Sequence, residues 1–500
     1  MKQNRKRVGL LVSSFEPDYT SPIVTGVSSF CTSHNLQCFV FPARSRNWNQ
    51  GPYEYQYNTL TSLFTEKNLD VLIVLSTTQL FTVTKDELVE QFASWHPIPI
   101  VSIGEKIEGY SSVTVKGKEA FRELLKHLIT RHKCKKLVLV TFTPTSEDVK
   151  FRLEAFEDII QEYKIEETSS IRYVSYNEAN SDLVLQSYFR TQNELPDVFV
   201  CAEDRLATIV LDYLEKAHVQ VPQEVFVTGF DDTIDSATYT PSITSVNQNL
   251  FDQGYEAAKQ AYTLLQNPND ISDIQLPCKT RYRQSCGCIE KGNMFWDYTD
   301  GEGQHVPRKA DFNLQDKRNY KALIAYLGMV RQFLQDINTT ISVDVFKQKL
   351  KNHLVQLGIE SFALCMYTHP VVHYSFSEFE LPSKAFLFMA YDIAENYACF
   401  KNDIAFNLAE NILPEEVPYN DRKERVIFPI YNAEIVYGYA VLDPGHADMQ
   451  IYATLFGAIS SSLASVIHYS VKQVETEQLK KKAEQLTDYS YTDDLTGIMN

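Results

Sequence analysis

Two pairs of acids stand where chemistry could begin. Glu203 and Asp204 close the run "VFVCAED", and Asp231 and Asp232 close "VFVTGFDD". Carboxylates just after apolar, strand-like runs lie where an open α/β sheet meets its ligands, outside the carboxyl ends of its strands. Other runs end in polar groups too: Ser13, Ser14 and Phe15 after "VGLLV", Ser76 and Thr77 after "VLIVL", Thr141 and Thr143 after "KLVLV". Arg152 opens a helical stretch just past that Thr-rich loop. Acids and a guanidinium facing a cleft suit a small polyhydroxylated or polar ligand held by charge-assisted hydrogen bonds. A catalytic site would want a nucleophile–base pair or a metal cluster, and no such spacing is visible, so no catalytic residue is assigned. Each carboxylate also has a structural alternative, because a strand-end Asp often caps the next helix. For Asp204 and Asp231 both roles stay open.

Cys286 and Cys288 in "SCGC" form the one cysteine pair close enough to suggest chemistry. Metal sites normally need four ligands, and no second Cys/His pair at finger spacing follows. Packing at a domain exit is therefore expected there, with no metal ligand and no cofactor in the chain.

Between Arg7 and about Lys279, eight short apolar runs alternate with amphipathic stretches. "LDVLIVLS", "KKLVLVTF" and "EVFVTGF" have the unbroken apolar character of buried strands. "GKEAFRELLKHLITRH" and "EDRLATIVLDYLEKAH" carry apolar residues at i, i+3 and i+4. That alternation predicts an α/β fold with two doubly wound parallel-sheet lobes. The boundaries expected are residues 1–288 for this ligand-binding domain and 289–318 for a Gly-, Pro- and charge-rich linker. A compact α+β domain follows over 319–470, with strands around the turn in "ERVIFPIYNAEIVYGYAVLD". A helix over 471–490 then has coiled-coil spacing. Ile467, Val471 and Val474, and again Leu479, Ala483 and Leu486, are spaced four then three, with a five-residue step between the triplets. A parallel homodimeric stalk is the expectation.

Composition narrows the classes. Five hundred residues carry 47 Lys and Arg against 64 Asp and Glu, a net charge of −17. So acidic a surface repels phosphate backbones, and the only basic cluster is "KQNRKR" near the start. The expectation is no DNA partner. Neither a secretory signal nor a stretch approaching the roughly 18 apolar residues that span a bilayer is evident. Nine scattered cysteines, an odd number, fit a reducing compartment. A cytoplasmic location and no membrane partner are therefore expected.

The segment "PDVFVCAEDRLATIVLDYLEKAHVQVPQEVFVTGFDDTIDSATYTPSITSVNQNL" resembles the effector core of lactose-repressor-type regulators, which have the type I periplasmic-binding-protein fold. "AEDRLA", "VPQEVFVTGFDD", "PSITSVNQ" and "IQLPCKTRYRQS" carry the resemblance, over Arg7 to about Ser285. It implies that Arg152 of "FRLEAF", Glu203, Asp204 and Asp231 contact an effector, a small polar metabolite. Two departures stand out: Glu203 replaces the family's usual Asn, and Lys116 replaces an acid at the first crossover. They argue against a plain neutral sugar. The resemblance would also require a helix-turn-helix before the first strand, and residues before Arg7 leave no room for one.

Residues 319–470 are similar to GAF domains, and "YTDDLTGIMN" resembles the opening motif of GGDEF domains, the diguanylate cyclases. Asp493, Leu495, Thr496, Gly497 and Asn500 match, over residues 491–500. This resemblance implies a ligand-sensing, dimerising input region regulating cyclic di-GMP synthesis. Mg and GTP belong only to a catalytic part beyond Asn500. The competing classes are a lactose-repressor-like transcription regulator and a stand-alone small-molecule-binding protein.

Overall fold

The computed structural model describes residues 5–14, 18–44, 51–80, 82–144, 146–174, 186–190, 194–288, 296–299, 305–308, 325, 327–337, 342–375, 377–401, 404–418, 424–444 and 449–491. The chain divides into two compact units, Met1–Asn319 with Asp421–Val426, and Tyr320–Asn420 with Ile427–Asn500.

The first unit has two lobes. In the first lobe, β1 (Arg7–Val12), β2 (Gln37–Pro42), β3 (Val71–Leu75), β4 (Ile100–Ile103) and β5 (Ser111–Val115) are parallel. The chain then builds β6 (Leu137–Phe142), β7 (Ser170–Val174), β8 (Val198–Cys201), β9 (Phe226–Asp231) and β10 (Thr244–Asn247) in the second lobe. It returns for β11 (Asp273–Leu276), which adds to β5, and crosses again for β12 (Lys279–Arg281), antiparallel to β10. The hydrogen-bonded orders are β11-β5-β4-β3-β1-β2 and β12-β10-β9-β8-β6-β7. Every residue of β3 is buried, which is why "VLIVL" has no polar alternation.

Helices cover these sheets: α1 (Thr20–Ser33), α2 (Ser76–Gln79), α3 (Lys85–Ser94), α4 (Gly117–Thr130), α5 (Glu147–Glu162), α6 (Asp204–Lys216), α7 (Ile234–Thr238) and α8 (Leu250–Gln266). In α4 the buried stripe is Ala120, Phe121, Leu124, Leu125 and Leu128, while Glu119 and Glu123 face solvent. Helices α1 and α8 approach backbone to backbone. A Cβ on Gly26 would lie 2.1 Å from the Phe251 carbonyl oxygen, and one on Gly254 2.1 Å from that of Ile23.

Three crossovers join the lobes, at Lys116, at Gln248–Asn249 and at Pro277–Cys278. They are bonded to one another. The Lys116 backbone N–H donates to the Leu276 carbonyl at 2.8 Å, and Asn249 Nδ2 donates to the Pro277 carbonyl at 2.9 Å. Asn249 itself is left-handed, with φ of 54°, a conformation Asn tolerates better than most residues.

The linker expected over 289–318 contains an antiparallel pair, β13 (Trp296–Thr299) with β14 (His305–Arg308). In the second unit the helix α9 (Val343–Gln356) precedes β15 (Ser361–Val372), β16 (Lys384–Asp392), β17 (Tyr397–Cys399), β18 (Ala405–Asn407), β19 (Arg425–Asn432) and β20 (Ile435–Leu442). The strand order is β19-β20-β15-β16-β17, with β18 also on β16, and the pairs made by β15 and β16 are antiparallel. The turn in "YNAEI" places Ala433 at φ of 53°.

A single helix, α10 (Met449–Tyr491), follows. Its first half buries Tyr452, Leu455, Phe456, Ile459, Leu463 and Val466 along one face; further on, Val471, Val474 and Leu479 are exposed. Contrary to the sequence expectation, Tyr452–Glu484 is long and apolar enough to cross a membrane by length and composition. Half of its most apolar window is buried inside the protein, as for a helix packed on a soluble core. Among the expected site residues, Phe15 lies outside the described residues. The GGDEF-like motif residues Asp493, Leu495, Thr496, Gly497 and Asn500 lie outside them too.

Candidate ligand-binding cleft

Arg152 is the centre of the cleft between the two lobes. It sits in the second turn of α5, only 5% exposed, with its guanidinium 4.1 Å over the Phe230 ring and 5.3 Å from that of Phe151. Its Nη2 lies 3.8 Å from Asp231 Oδ1, and its Nε is buried with no partner. Asp148, one turn earlier on the same helix face, and Glu203 add negative charge beside it. Tyr19, just before α1 of the opposite lobe, hydrogen-bonds Thr77 Oγ1 at 3.2 Å and feels the same Asp148, Asp231 and Arg152. Both lobes therefore contribute to one polar, mostly dry site.

Asp231 ends β9 in an unusual conformation, with φ of 105°, and Asp232 follows at 57°. A non-glycine residue held there costs of order 1–3 kcal/mol, and such strain concentrates where a side chain must be aimed. Asp231 Oδ1 accepts a hydrogen bond of 2.6 Å from Gln248 Nε2, at the second crossover. Burial pushes the Asp231 carboxyl well above its ordinary range, against the pull of Arg152. Burial raises Asp148 as well, with Arg152 again opposing. Arg152 faces Asp148, Asp231 and Glu203, of which Glu203 also pairs with Arg205, so acids still outnumber cations here.

The structure separates the remaining expected residues by role. Asp204 is structural: its Oδ2 accepts from the Thr233 backbone N–H at 2.8 Å and from Thr233 Oγ1 at 3.2 Å, fixing the loop that starts α7. Gly229 makes room for it, since a Cβ there would lie 2.1 Å from Asp204 Oδ1. Asp232 binds Arg283 and accepts from Asn247 Nδ2 at 2.7 Å, tying β9 to the end of the domain. Ser13 Oγ accepts from Gln79 Nε2 at 2.9 Å, and Ser76 Oγ is 2.7 Å from Ser102 Oγ, so both hydroxyls are spent inside the first lobe. Glu203 precedes α6 and pairs with Arg205 Nε at 3.1 Å. Lys116 is exposed at the first crossover. Tyr19, Asp148 and Gln248 belong to the cleft but were not singled out from sequence. The Asp148/Arg152 spacing of i, i+4 was the readable signal.

At the edge of the cleft a cavity of about 210 Å³ is lined by Lys85, Glu105, Lys106, Glu147, Asp148 and Phe151, among others. Glu105 is buried, paired with Lys85 Nζ at 2.6 Å, and its Oε2 has no partner.

Burial lifts Asp204 to about 7. Its unfolded value is about 3.9, so between those values the folded state binds the extra proton. The stability tied to this protonation is full below about pH 4 and is lost as pH rises through 7. Asp204→Asn is expected to flatten the fall in unfolding free energy between pH 5 and 8.5, by about 3 kcal/mol. Urea denaturation at a series of pH values checks this; an unchanged slope refutes it.

A family model described as "Periplasmic binding protein-like domain" matches residues 125–286. The HTH-type transcriptional repressor PurR of Haemophilus influenzae (strain PittEE) is 23% identical over 255 residues, covering 50% of this chain and 71% of the relative. Catabolite control protein A of Staphylococcus xylosus is 24% identical over 281 residues, covering 55% and 80%. The first unit is similar to the periplasmic-binding-protein-like domain of these LacI-type relatives. Among solved structures, the sensor domain is similar to a LacI family transcriptional regulator from Enterococcus faecium with bound ribose. That match has TM-score 0.48 and 19% identity, covering 57% of this chain and 100% of that one. The lac repressor dimer bound to operator and an anti-inducer matches with TM-score 0.47 and 16% identity, covering 57% and 95%.

These relatives overturn the expectation of an input region for a diguanylate cyclase. PurR is named a transcriptional repressor, and the part of this chain that matches it and catabolite control protein A lies in the first unit. The expectation of no DNA partner conflicts with them as well, and the acidic net charge of the whole chain does not decide it.

Proposed function

We propose that the sensor domain binds a small polar metabolite between its lobes, as the effector-binding part of a lactose-repressor-like transcription regulator. The observation that carries this is Arg152, a buried guanidinium with an unpartnered Nε, set among Asp148, Glu203 and Asp231 at the mouths of the strands. A buried donor of this strength is costly unless a ligand acceptor completes it. The surplus of acids calls for donors on the ligand, hydroxyls or an amine, rather than a phosphate or second carboxylate. The similarity to the transcriptional repressor PurR supports the regulatory output of this reading. A cytoplasmic location accords with it.

The antiparallel order with β15 and β20 at the centre, and α10 packed by one face, support a GAF-like reading of the second unit. The exposed Val471, Val474 and Leu479 support pairing of α10 with a second copy of the chain. Leu479→Asp together with Val474→Asp is expected to shift a dimer toward monomer in light scattering after gel filtration. A mass unchanged from the parent's would refute that pairing.

The reading is tested by a thermal-shift screen of the chain with sugars, nucleosides, polyamines and small acids. A compound rich in hydroxyls or amines should raise the midpoint by several degrees, and Asp231→Asn should remove the shift. A shift that survives Asp231→Asn, or one given only by phosphorylated compounds, would place the ligand elsewhere.

A further inference from the structure

His127, His132, Cys286 and Cys288 converge on one point, although 154 residues of sequence separate the histidines from the cysteines. Their ligand atoms all lie within 4.8 Å of one another. His127 Nε2 is 3.0 Å from His132 Nε2, and each of these nitrogens is 3.2 Å from Cys288 Sγ. Cys286 Sγ, wholly buried, accepts from Thr244 Oγ1 at 3.0 Å.

Packing alone accounts poorly for this arrangement. The lone pair or proton of an imidazole Nε2 points in a single direction, along the ring's bisector. Two such nitrogens and a thiol in mutual contact cannot each direct a proton at each other, so part of the triangle stays unsatisfied. A cation at its centre satisfies all of it. Tetrahedral zinc, with Zn–N of about 2.0–2.1 Å and Zn–S of about 2.3 Å, spaces its ligand atoms roughly 3.3–3.8 Å apart. The three contacts among His127, His132 and Cys288 are a few tenths of an ångström shorter and the widest separation in the set is up to 4.8 Å, so rotamer adjustment of these side chains brings the four to that spacing.

We infer that His127, His132, Cys286 and Cys288 form a structural zinc site that fastens the end of the sensor domain to its second lobe. Two nitrogens and two sulfurs in a tetrahedron select zinc among abundant divalent ions. Four protein ligands leave no open position, so the site is structural rather than catalytic. Two thiolates and two neutral imidazoles balance the 2+ charge. Binding releases the two thiol protons to solvent and involves no redox change.

The surroundings hold the ligands in place. His127 is in the last turn of α4 and stacks on Tyr282, with centroids 4.1 Å apart; His132 lies in the loop that follows, against Phe226 at 4.9 Å. Gly287 between the two cysteines has φ of 77°, a left-handed turn that brings both sulfurs to the same side. The site therefore joins the helix after the first crossover to the segment after the third. Finger spacing in the sequence could not reveal it, because the ligand pairs are brought together by the fold.

The test is cobalt and zinc titration of the reduced, chelator-stripped full chain. One equivalent of Co²⁺ should give visible d–d bands and a near-ultraviolet sulfur-to-cobalt charge-transfer band, and one equivalent of Zn²⁺ should displace it. Altering a second-shell residue costs about 10–100-fold in metal affinity, so Cys288→Ser and His127→Gln, which remove ligands, should each cost more than ~100-fold. Cys399→Ser, in the other unit, should change nothing. Absence of the cobalt spectrum in the parent, an unaltered spectrum in Cys288→Ser, or a Cys286–Cys288 disulfide that persists in reductant would each overturn the inference. The titration of the parent stands whether or not a variant folds.

Discussion

Arg152→Ala is expected to weaken effector binding by at least ~30-fold while leaving a folded sensor domain. The guanidinium faces Asp148, Asp231 and Glu203, and removing one partner of a buried charge cluster costs about 2–5 kcal/mol of binding. That is at least ~30-fold in Kd, and the unpartnered Nε makes the loss specific to bound ligand rather than to intramolecular pairing. Without the cation, the acids are expected to hold protons to still higher pH, so the variant takes up protons at neutrality. Arg152→Lys separates charge from shape. It should restore much of the stability but not the affinity, because an ammonium lacks the planar fork and the stacking on Phe230. Calorimetric titration with the compound found by thermal shift measures the binding, and urea unfolding the stability. Equal affinity in parent and Arg152→Ala would remove Arg152 from the site.

Gly254→Ala is the second large effect, and it acts on stability alone. In an ordinary helix the change would gain up to about 1 kcal/mol, through chain entropy. Here the new Cβ would meet the Ile23 carbonyl at 2.1 Å and could be relieved only by moving α8 away from α1. Neither contact is a flexible side-chain end, so the overpacking cost is at the upper end of the usual range, about 3 kcal/mol. Gly26→Ala should cost a similar amount, since its Cβ would meet the Phe251 carbonyl from the other helix. The double variant should cost less than the sum, because one separation of the helices relieves both clashes. A cost below about 0.5 kcal/mol in urea denaturation would show that the helices part freely.

The buried strands were legible because a sheet covered on both faces leaves an unbroken apolar run. β1, β3, β6, β8 and β9 all fall on such runs. β5, β10, β11 and β12 were not singled out. "SSVTV" and "TSVN" are rich in Ser and Thr, and β11 and β12 are edge strands with one flank open, where polar residues are ordinary. Arg152 was legible as a guanidinium in the helix after the Thr-rich loop, and Asp231 by its strand-end position. Ser13 and Ser76 shared that position and proved to be internal anchors, because position along a strand does not say which way a hydroxyl turns. Asp204 turned out to hold a loop, which its sequence context left open. The His/Cys cluster was illegible, since nothing local joins residues of α4 to the segment around Cys286. The GGDEF-like ending rests on five matching residues within 491–500, far less of the chain than the part shared with the relatives.

The bonded crossovers carry a mechanical consequence. Lys116 cannot shift without carrying Leu276, nor Asn249 without carrying Pro277, so the three connections act as a single axle. The lobes then have essentially one swing available rather than many independent wobbles. Gln248, on that axle, also holds Asp231. A molecule bound at Asp231 would therefore be one hydrogen bond away, through Gln248, from the connections that join the lobes.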